Sequence, residues 1–334
     1  MYRLGLILLV SMLLAACGAP TQNGGANRQA LEARFGEERI RLSDGTRLPL
    51  RRWLPAQPSP QAVVLALHGF NDYSRAFQGL GHYLAERGIA SYAYDQRGFG
   101  ETASRGLWAG GPRMIDDARA VLLRLRQRYP DTPVYLLGES MGGAVALSAA
   151  AEGELPADGL VLLAPAVWAR QTMPWYQRTA LWVAARVAPE WRPSGKGLGR
   201  VASDNTEMLR GLGRDPLVIK KTRIEAVEGL ANLMDRALAA SPALPLPTLI
   251  LYGARDDIVP RQATCRMLRS LPGREAVAWR FAYYQAGYHM LTRDLQGERV
   301  MGDIVAWLQD PQAALPSGEE ATGNWAVSVC GMAV

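Results

Sequence analysis

The chain has 334 residues, long enough for one large domain or two modest ones, and its 49% hydrophobic and 20% charged composition reads as soluble and globular and excludes a disordered or membrane-spanning chain. Its net charge of +6 is carried almost wholly by arginine, because Lys196, Lys220 and Lys221 are the only lysines. No basic run of five or six residues occurs, which argues against a nucleic-acid partner and leaves only weak attraction to anionic lipid headgroups.

In chain order, Tyr2-Arg3 is a short polar start before the apolar run Leu4 to Leu14 and then Leu14-Ala15-Ala16-Cys17. The run is too short for a spanning helix, which needs about 20 residues, and suits a secretory signal. Small residues followed by a cysteine resemble the lipobox of bacterial lipoproteins. That resemblance implies removal of residues 1–16 and lipidation of Cys17, with several acyl chains giving stable anchoring. Gly18, in place of an aspartate, favours the outer membrane, facing the periplasm. Residues 17–37 are rich in small and polar types and read as a flexible tether. With Cys17 lipidated, Cys265 and Cys330 remain; an oxidising envelope would let them pair, and the sequence leaves that open.

From residue 38 short β-rich runs alternate with helical ones. Ile40–Leu42, Ser43-Asp44-Gly45 and Thr46–Leu54 read as a hairpin with Asp-Gly in its turn. Ala62–Leu67 is an unbroken apolar strand, and Ala90–Tyr94, Val134–Leu137, Leu160–Leu163, Thr248–Tyr252 and Ala278–Tyr284 follow it. The spacing of Ile115, Ala118, Leu122, Leu125 and Tyr129 predicts a helix over 113–129, with Asp116 and Asp117 near its start and arginines near its end to suit its dipole. Alternation of β and α units predicts an α/β fold, a mostly parallel sheet flanked by helices over residues 38–310. Between about 166 and 240 the strands stop and a helical, Trp- and Met-rich insertion reads as a cap over the strand ends. Residues 311–334 read as a disordered or loosely packed tail.

Gly138-Glu139-Ser140-Met141-Gly142 directly follows the strand at Val134–Leu137 and opens a run of small residues. A sharp strand–turn–helix needs small residues on both sides of a serine, which it then exposes as a nucleophile. A serine hydroxyl needs an imidazole to take its proton and a carboxylate to orient that imidazole. Of three histidines, His82 falls inside the helical run 76–87 on a partly buried face, and His68 ends a strand beside Gly69-Phe70, where it shapes a loop. His289 lies just past the last strand and is the candidate base. Asp256, three residues after Gly253, is the candidate orienter, with Asp257 as runner-up. The backbone N–H groups of Phe70 and Met141 are the candidate oxyanion donors.

His68-Gly69-Phe70, Asp95-Gln96-Arg97-Gly98-Phe99-Gly100, Gly138 to Gly142, Asp215-Pro216-Leu217 and Gly253 to Pro260 together resemble the monoacylglycerol lipase and lysophospholipase branch of the α/β-hydrolases, over about residues 38–308. The resemblance implies an α/β-hydrolase fold with a helical cap and hydrolysis of carboxylic esters through an acyl-enzyme, without metal or cofactor. It implies a small ester or lipid substrate whose acyl chain lies in an apolar channel under the cap. Trp168, Met173, Trp175, Trp182, Trp191 and Met208 are the candidate channel residues. An acyltransferase or aminopeptidase-like amidase would use the same residues, and a non-catalytic envelope scaffold would use none of them. Oligomeric state, acyl length and head group are not legible.

Overall fold

The computed structural model describes residues 33–36, 38–195, 199–321 and 329–331. Residues 1–32, with the signal segment and Cys17, lie outside the described residues. Strands β1 (Ala33–Phe35), β2 (Arg39–Leu42) and β3 (Arg47–Trp53) lead antiparallel into a parallel run of β4 (Ala62–Leu67), β5 (Ile89–Tyr94), β6 (Val134–Glu139), β7 (Gly159–Leu163), β8 (Thr248–Gly253) and β9 (Trp279–Tyr284). The sheet order is β1-β2-β3-β5-β4-β6-β7-β8-β9. β1 corrects the expected tether, because Ala33–Phe35 pairs with Ile40–Leu42.

Every residue of β4, β5, β6 and β8 is buried, so helices must cover both faces. Strand alternation sorts the side chains. Val63, Leu65 and Leu67 join one core with Ile115, Leu122 and Leu125 of α2 (Gly111–Arg128), whereas Ala62, Val64 and Ala66 join another with Leu80 and Leu84 of α1 (Gln78–Ala85). α3 (Met141–Ala151) runs straight out of β6 and buries all but its last residue. Asp117 departs from the helix-dipole expectation. It sits beyond the first turn of α2, buried, and accepts two bonds from the Arg97 guanidinium at 2.6 and 3.0 Å.

Between β7 and β8 lie α4 (Trp175–Val187), α5 (Thr206–Arg214) and α6 (Ile224–Ala240). They differ in kind. α4 and α5 bury no residue, while α6 buries eight and packs on α3. The insertion that stands off the sheet therefore ends near Arg223, and α6 belongs with the layer that covers it. Two helices the periodicity did not predict, α7 (Arg261–Ser270) and α8 (Gly297–Gln309), complete the layers.

The described part of the C-terminal stretch is not loose. Arg280 is ion-paired with Glu320, Ala282 bridges Glu320 and Leu315 is 5% exposed. Cys330 is disulfide-bonded to Cys265 on α7, and Val329 beside it joins the core.

Candidate active site

The turn between β6 and α3 holds Ser140 at φ +53°, a region that costs a residue with a side chain about 1–3 kcal/mol unless its surroundings enforce it. Here they do. Ser140 N–H donates to Leu163 O at 2.9 Å, and its carbonyl accepts from Ala144 and Ala166. A Cβ on Gly138 would fall 2.4 Å from the Gly142 carbonyl, and one on Gly142 2.0 Å from that of Leu67. Only hydrogen side chains let the strand, turn and helix close this tightly.

His289 sits after β9, 5% exposed, and its Nδ1 lies 2.8 Å from Asp256 Oδ2. Asp256 comes from the loop after β8 and is held by Ile258 and Val259 N–H donors at 2.7 and 3.0 Å on Oδ1. Burial disfavours a proton on His289, but the Asp256 charge, its hydrogen bond and the Glu139 charge outweigh that and hold the imidazole above its usual pKa. Asp257 is exposed, and among the described residues it is its carbonyl that has a partner, accepting from Arg200. Ser140 and His289 both line a cavity of about 410 Å³, and no hydrogen bond joins their side chains among the described residues. A bond that tightens only with substrate present is common for such pairs.

Phe70 lines the same cavity. Among the described residues neither its N–H nor that of Met141 has a hydrogen-bond acceptor, which leaves two donors at the serine turn. The loop that carries Phe70 is pinned through His68. Nδ1 of this fully buried ring meets Gly69 O at 2.9 Å, and Nε2 accepts the Gln96 N–H at 2.9 Å. That pattern requires the neutral tautomer with its proton on Nδ1, and burial pushes the pKa down accordingly. Asp95 caps Ser74 and Glu101, and a Cβ on Gly100 would strike its carboxylate at 2.2 Å. The stretch Asp95 to Gly100 is thus the brace of the Phe70 loop. A Cβ on Gly69 would meet Ser140 Cβ at 3.5 Å, an ordinary contact, so close packing alone does not demand glycine there. His82, expected on a partly buried face, is instead exposed on α1, its ring 6.5 Å from that of Trp53, and does not line the cavity that holds Ser140.

Two buried carboxylates and a largely buried arginine beside Ser140 carry no mark in the sequence. Arg293 donates to Asp72 Oδ2 at 2.7 Å and to Glu139 Oε1 at 2.5 Å, and all three residues line the cavity. Nothing in the sequence around Arg293 separates it from a surface arginine, and only the fold brings residues 72, 139 and 293 together. The channel residues also need correction. Trp168 and Met173 line the cavity with Leu181, Leu230 and Met234. Trp175 and Trp182, on a helix that buries no residue, are 74% and 56% exposed, and Trp191, beyond the end of α4, is 61% exposed. Met208 lines a neighbouring hollow of about 580 Å³ behind Asp72 and Arg293.

Residues 58–296 match the family described as serine aminopeptidase, S33. The chain belongs to that family. As an S33 member it is a serine α/β-hydrolase, with the serine turn and its two partners all inside the matched span. It is 28% identical over 292 residues to the monoglyceride lipase of Mus musculus, covering 83% of this chain and 91% of that one. It is 24% identical over 269 residues to the monoacylglycerol lipase of Mycolicibacterium smegmatis, covering 79% and 93%. Among solved structures, a monoglyceride lipase variant from Saccharomyces cerevisiae superposes with a TM-score of 0.68 at 19% identity, over 89% of this chain and all of that one. The monoacylglycerol lipase of Paleococcus ferrophilus gives 0.66 at 22%, over 78% and 98%.

Proposed function

We propose that this chain hydrolyses carboxylic esters of the monoacylglycerol or lysophospholipid class through an acyl-enzyme. The observation that carries this reading is the Asp256-bonded His289 facing the same apolar cavity as the strained Ser140. In the reading, His289 Nε2 takes the Ser140 proton as Oγ attacks the ester carbonyl, and Asp256 holds the Nδ1–H tautomer and steadies the imidazolium. The Phe70 and Met141 N–H groups receive the oxyanion. His289 then protonates the leaving alkoxide, and water attacks the acyl-enzyme by the same route in reverse.

The cavity supports a lipid acyl group. Its walls are Phe70, Trp168, Met173, Leu181, Leu230 and Met234, and its polar groups cluster at the Ser140 end. An acyl chain would lie among the apolar walls with its carbonyl at the serine, as binding sites with few convergent polar groups do. The exposed face of α4 supports uptake from a lipid surface. Trp175, Trp182 and Val187 stand 74%, 56% and 78% exposed; Arg178 and Arg186 share the helix, and no acidic residue does. Aromatics with arginines suit the interface of an anionic bilayer. We further propose lipidation at Cys17 and an outer-membrane location in the periplasm, supported by the lipobox-like sequence.

The test uses the full chain in detergent micelles with p-nitrophenyl butyrate, monoacylglycerols, lysophospholipids and an aminoacyl p-nitroanilide. The reading expects ester cleavage, loss of it in Ser140→Ala, and fluorophosphonate labelling at Ser140. Amide cleavage that exceeds ester cleavage would overturn it. For the anchor, Cys17→Ala should move the protein from the membrane to the soluble fraction.

A further inference from the structure

Three segments must keep their mutual positions for the proposed chemistry: the Phe70 loop, the Ser140 turn and the His289 loop. Each ends a different strand, β4, β6 and β9. Hydrogen bonds of the sheet fix the strands but not the loops beyond them. One side chain reaches all three. Arg293 follows His289 by four residues, on a tight turn in which its N–H donates to Met290 O at 2.7 Å. Its guanidinium donates to Asp72, two residues after Phe70, and to Glu139, which immediately precedes Ser140. The side chains of Arg293, Asp72 and Glu139 are only 11%, 7% and 3% exposed, so water competes little for these bonds.

The anchorage continues outward. Arg293 O accepts from Asn205, the residue that caps the start of α5, and the neighbouring Asp294 takes the Tyr288 N–H at 2.7 Å and the Ser203 hydroxyl at 2.6 Å. Asp72 is itself tied, with its N–H on Gly69 O and its Oδ1 on the Tyr73 N–H. Movement of any one segment would therefore stretch a charge-assisted bond to another.

We propose that Arg293 is a positioning residue that locks the oxyanion loop, the nucleophile turn and the histidine loop into one unit. A planar guanidinium can hold two carboxylates at a fixed angle, which a lysine ammonium cannot. The inference rests on the Ser140–His289–Asp256 reading above, and its test separates the two.

Ser140→Ala, Arg293→Met and Arg293→Lys are compared by kcat, KM and pH profile on p-nitrophenyl butyrate, by the rate of fluorophosphonate labelling, and by thermal melting. Hydrolysis that survives Ser140→Ala overturns the underlying reading. With that reading intact, Arg293→Met should lower kcat about 10²-fold, the loss that a displacement near 1 Å brings, with KM within about twofold. The His289 ring is bonded to Asp256 and feels the nearby charges of Glu139 and Arg293. Loss of the Arg293 charge should therefore move the acid limb of the profile to higher pH. Arg293→Lys should restore that limb and leave kcat well below the parent, because charge returns without the two-armed geometry. Asp72→Asn strips one arm of its charge assistance, leaving at most a neutral hydrogen bond, and serves where Arg293→Met does not fold; it too should slow labelling and turnover together. A kcat within threefold of the parent in Arg293→Met or Asp72→Asn would overturn the proposal. So would a raised KM at unchanged kcat, or full recovery by lysine.

Discussion

Gly142→Ala tests whether the contact between α3 and β4 sets the oxyanion geometry. The added Cβ would sit 2.0 Å from Leu67 O, 2.5 Å from its carbonyl carbon and 2.8 Å from its Cβ. Non-bonded carbons rest about 3.5–4.0 Å apart, so helix and strand must part by roughly 1 Å or more. Two of the three obstructing atoms are backbone, so no side chain can swing aside. Leu67 leads into His68-Gly69-Phe70, and Gly142 follows Met141. The push therefore acts between the two proposed donors. Loss of one such donor costs about 10²–10³ in kcat, and overpacking costs about 1–3 kcal/mol of stability. The assay is steady-state hydrolysis of p-nitrophenyl butyrate at a temperature where melting curves show the variant folded. Gly79→Ala on α1 is the control, since nothing lies within 4 Å of a Cβ there. A kcat for Gly142→Ala within threefold of the parent, in folded protein, would refute the reasoning.

The raised pKa of His289 has a direct consequence, because a general base works only when unprotonated. The acid limb of kcat/KM should lie above the ordinary imidazole value of about 6.5 and move down in Glu139→Gln, as a charge that holds the proton is removed; pH–rate profiles read both. Asp256→Asn should keep the fold and lower kcat about 10⁴-fold, because the amide no longer selects the Nδ1–H tautomer; melting and turnover check each half. Cys265→Ser frees Cys330 from a link that spans 65 residues, and the chain-entropy view values that link at up to about 4 kcal/mol. Thermal melting should show a lower midpoint, and limited proteolysis should trim the chain after Glu320. Met234→Ala should shift the preferred p-nitrophenyl ester toward longer acyl chains, since Met234 walls the cavity from a core helix that cannot drift to refill the space.

The sheet was readable from sequence because burial on both faces leaves an unmistakable apolar run, and β4 is bounded as Ala62–Leu67 predicts. The Ser140 turn, Asp256 and His289 were readable because each follows such a strand, so locating the strand end locates the residue. β1 was not, since three residues among small and polar ones carry no period. The Arg293 network was hidden for a different reason. A buried arginine and a solvated one look alike in sequence, and the partners at 72 and 139 become neighbours only when β4, β6 and β9 are brought alongside. Aromatic content misled in the cap, where tryptophan was read as channel lining. Exposure is decided there by how far α4 stands from the sheet, which composition does not encode.

That distance also separates two kinds of substrate control. The deep wall of the cavity is α6, which contributes Val227, Leu230, Ala231 and Met234 and is fixed by its packing on α3. The outer wall takes only Leu181 from α4, a helix with no buried residue. Core packing limits what α6 can change, so the space for an acyl chain is set by the same interior that holds Ser140. α4 is held less tightly, packing on α6 and sending Leu181 to the core while burying no residue fully. Its exposed positions, Trp175, Trp182 and Val187 among them, can therefore change with little cost to the geometry of the site below.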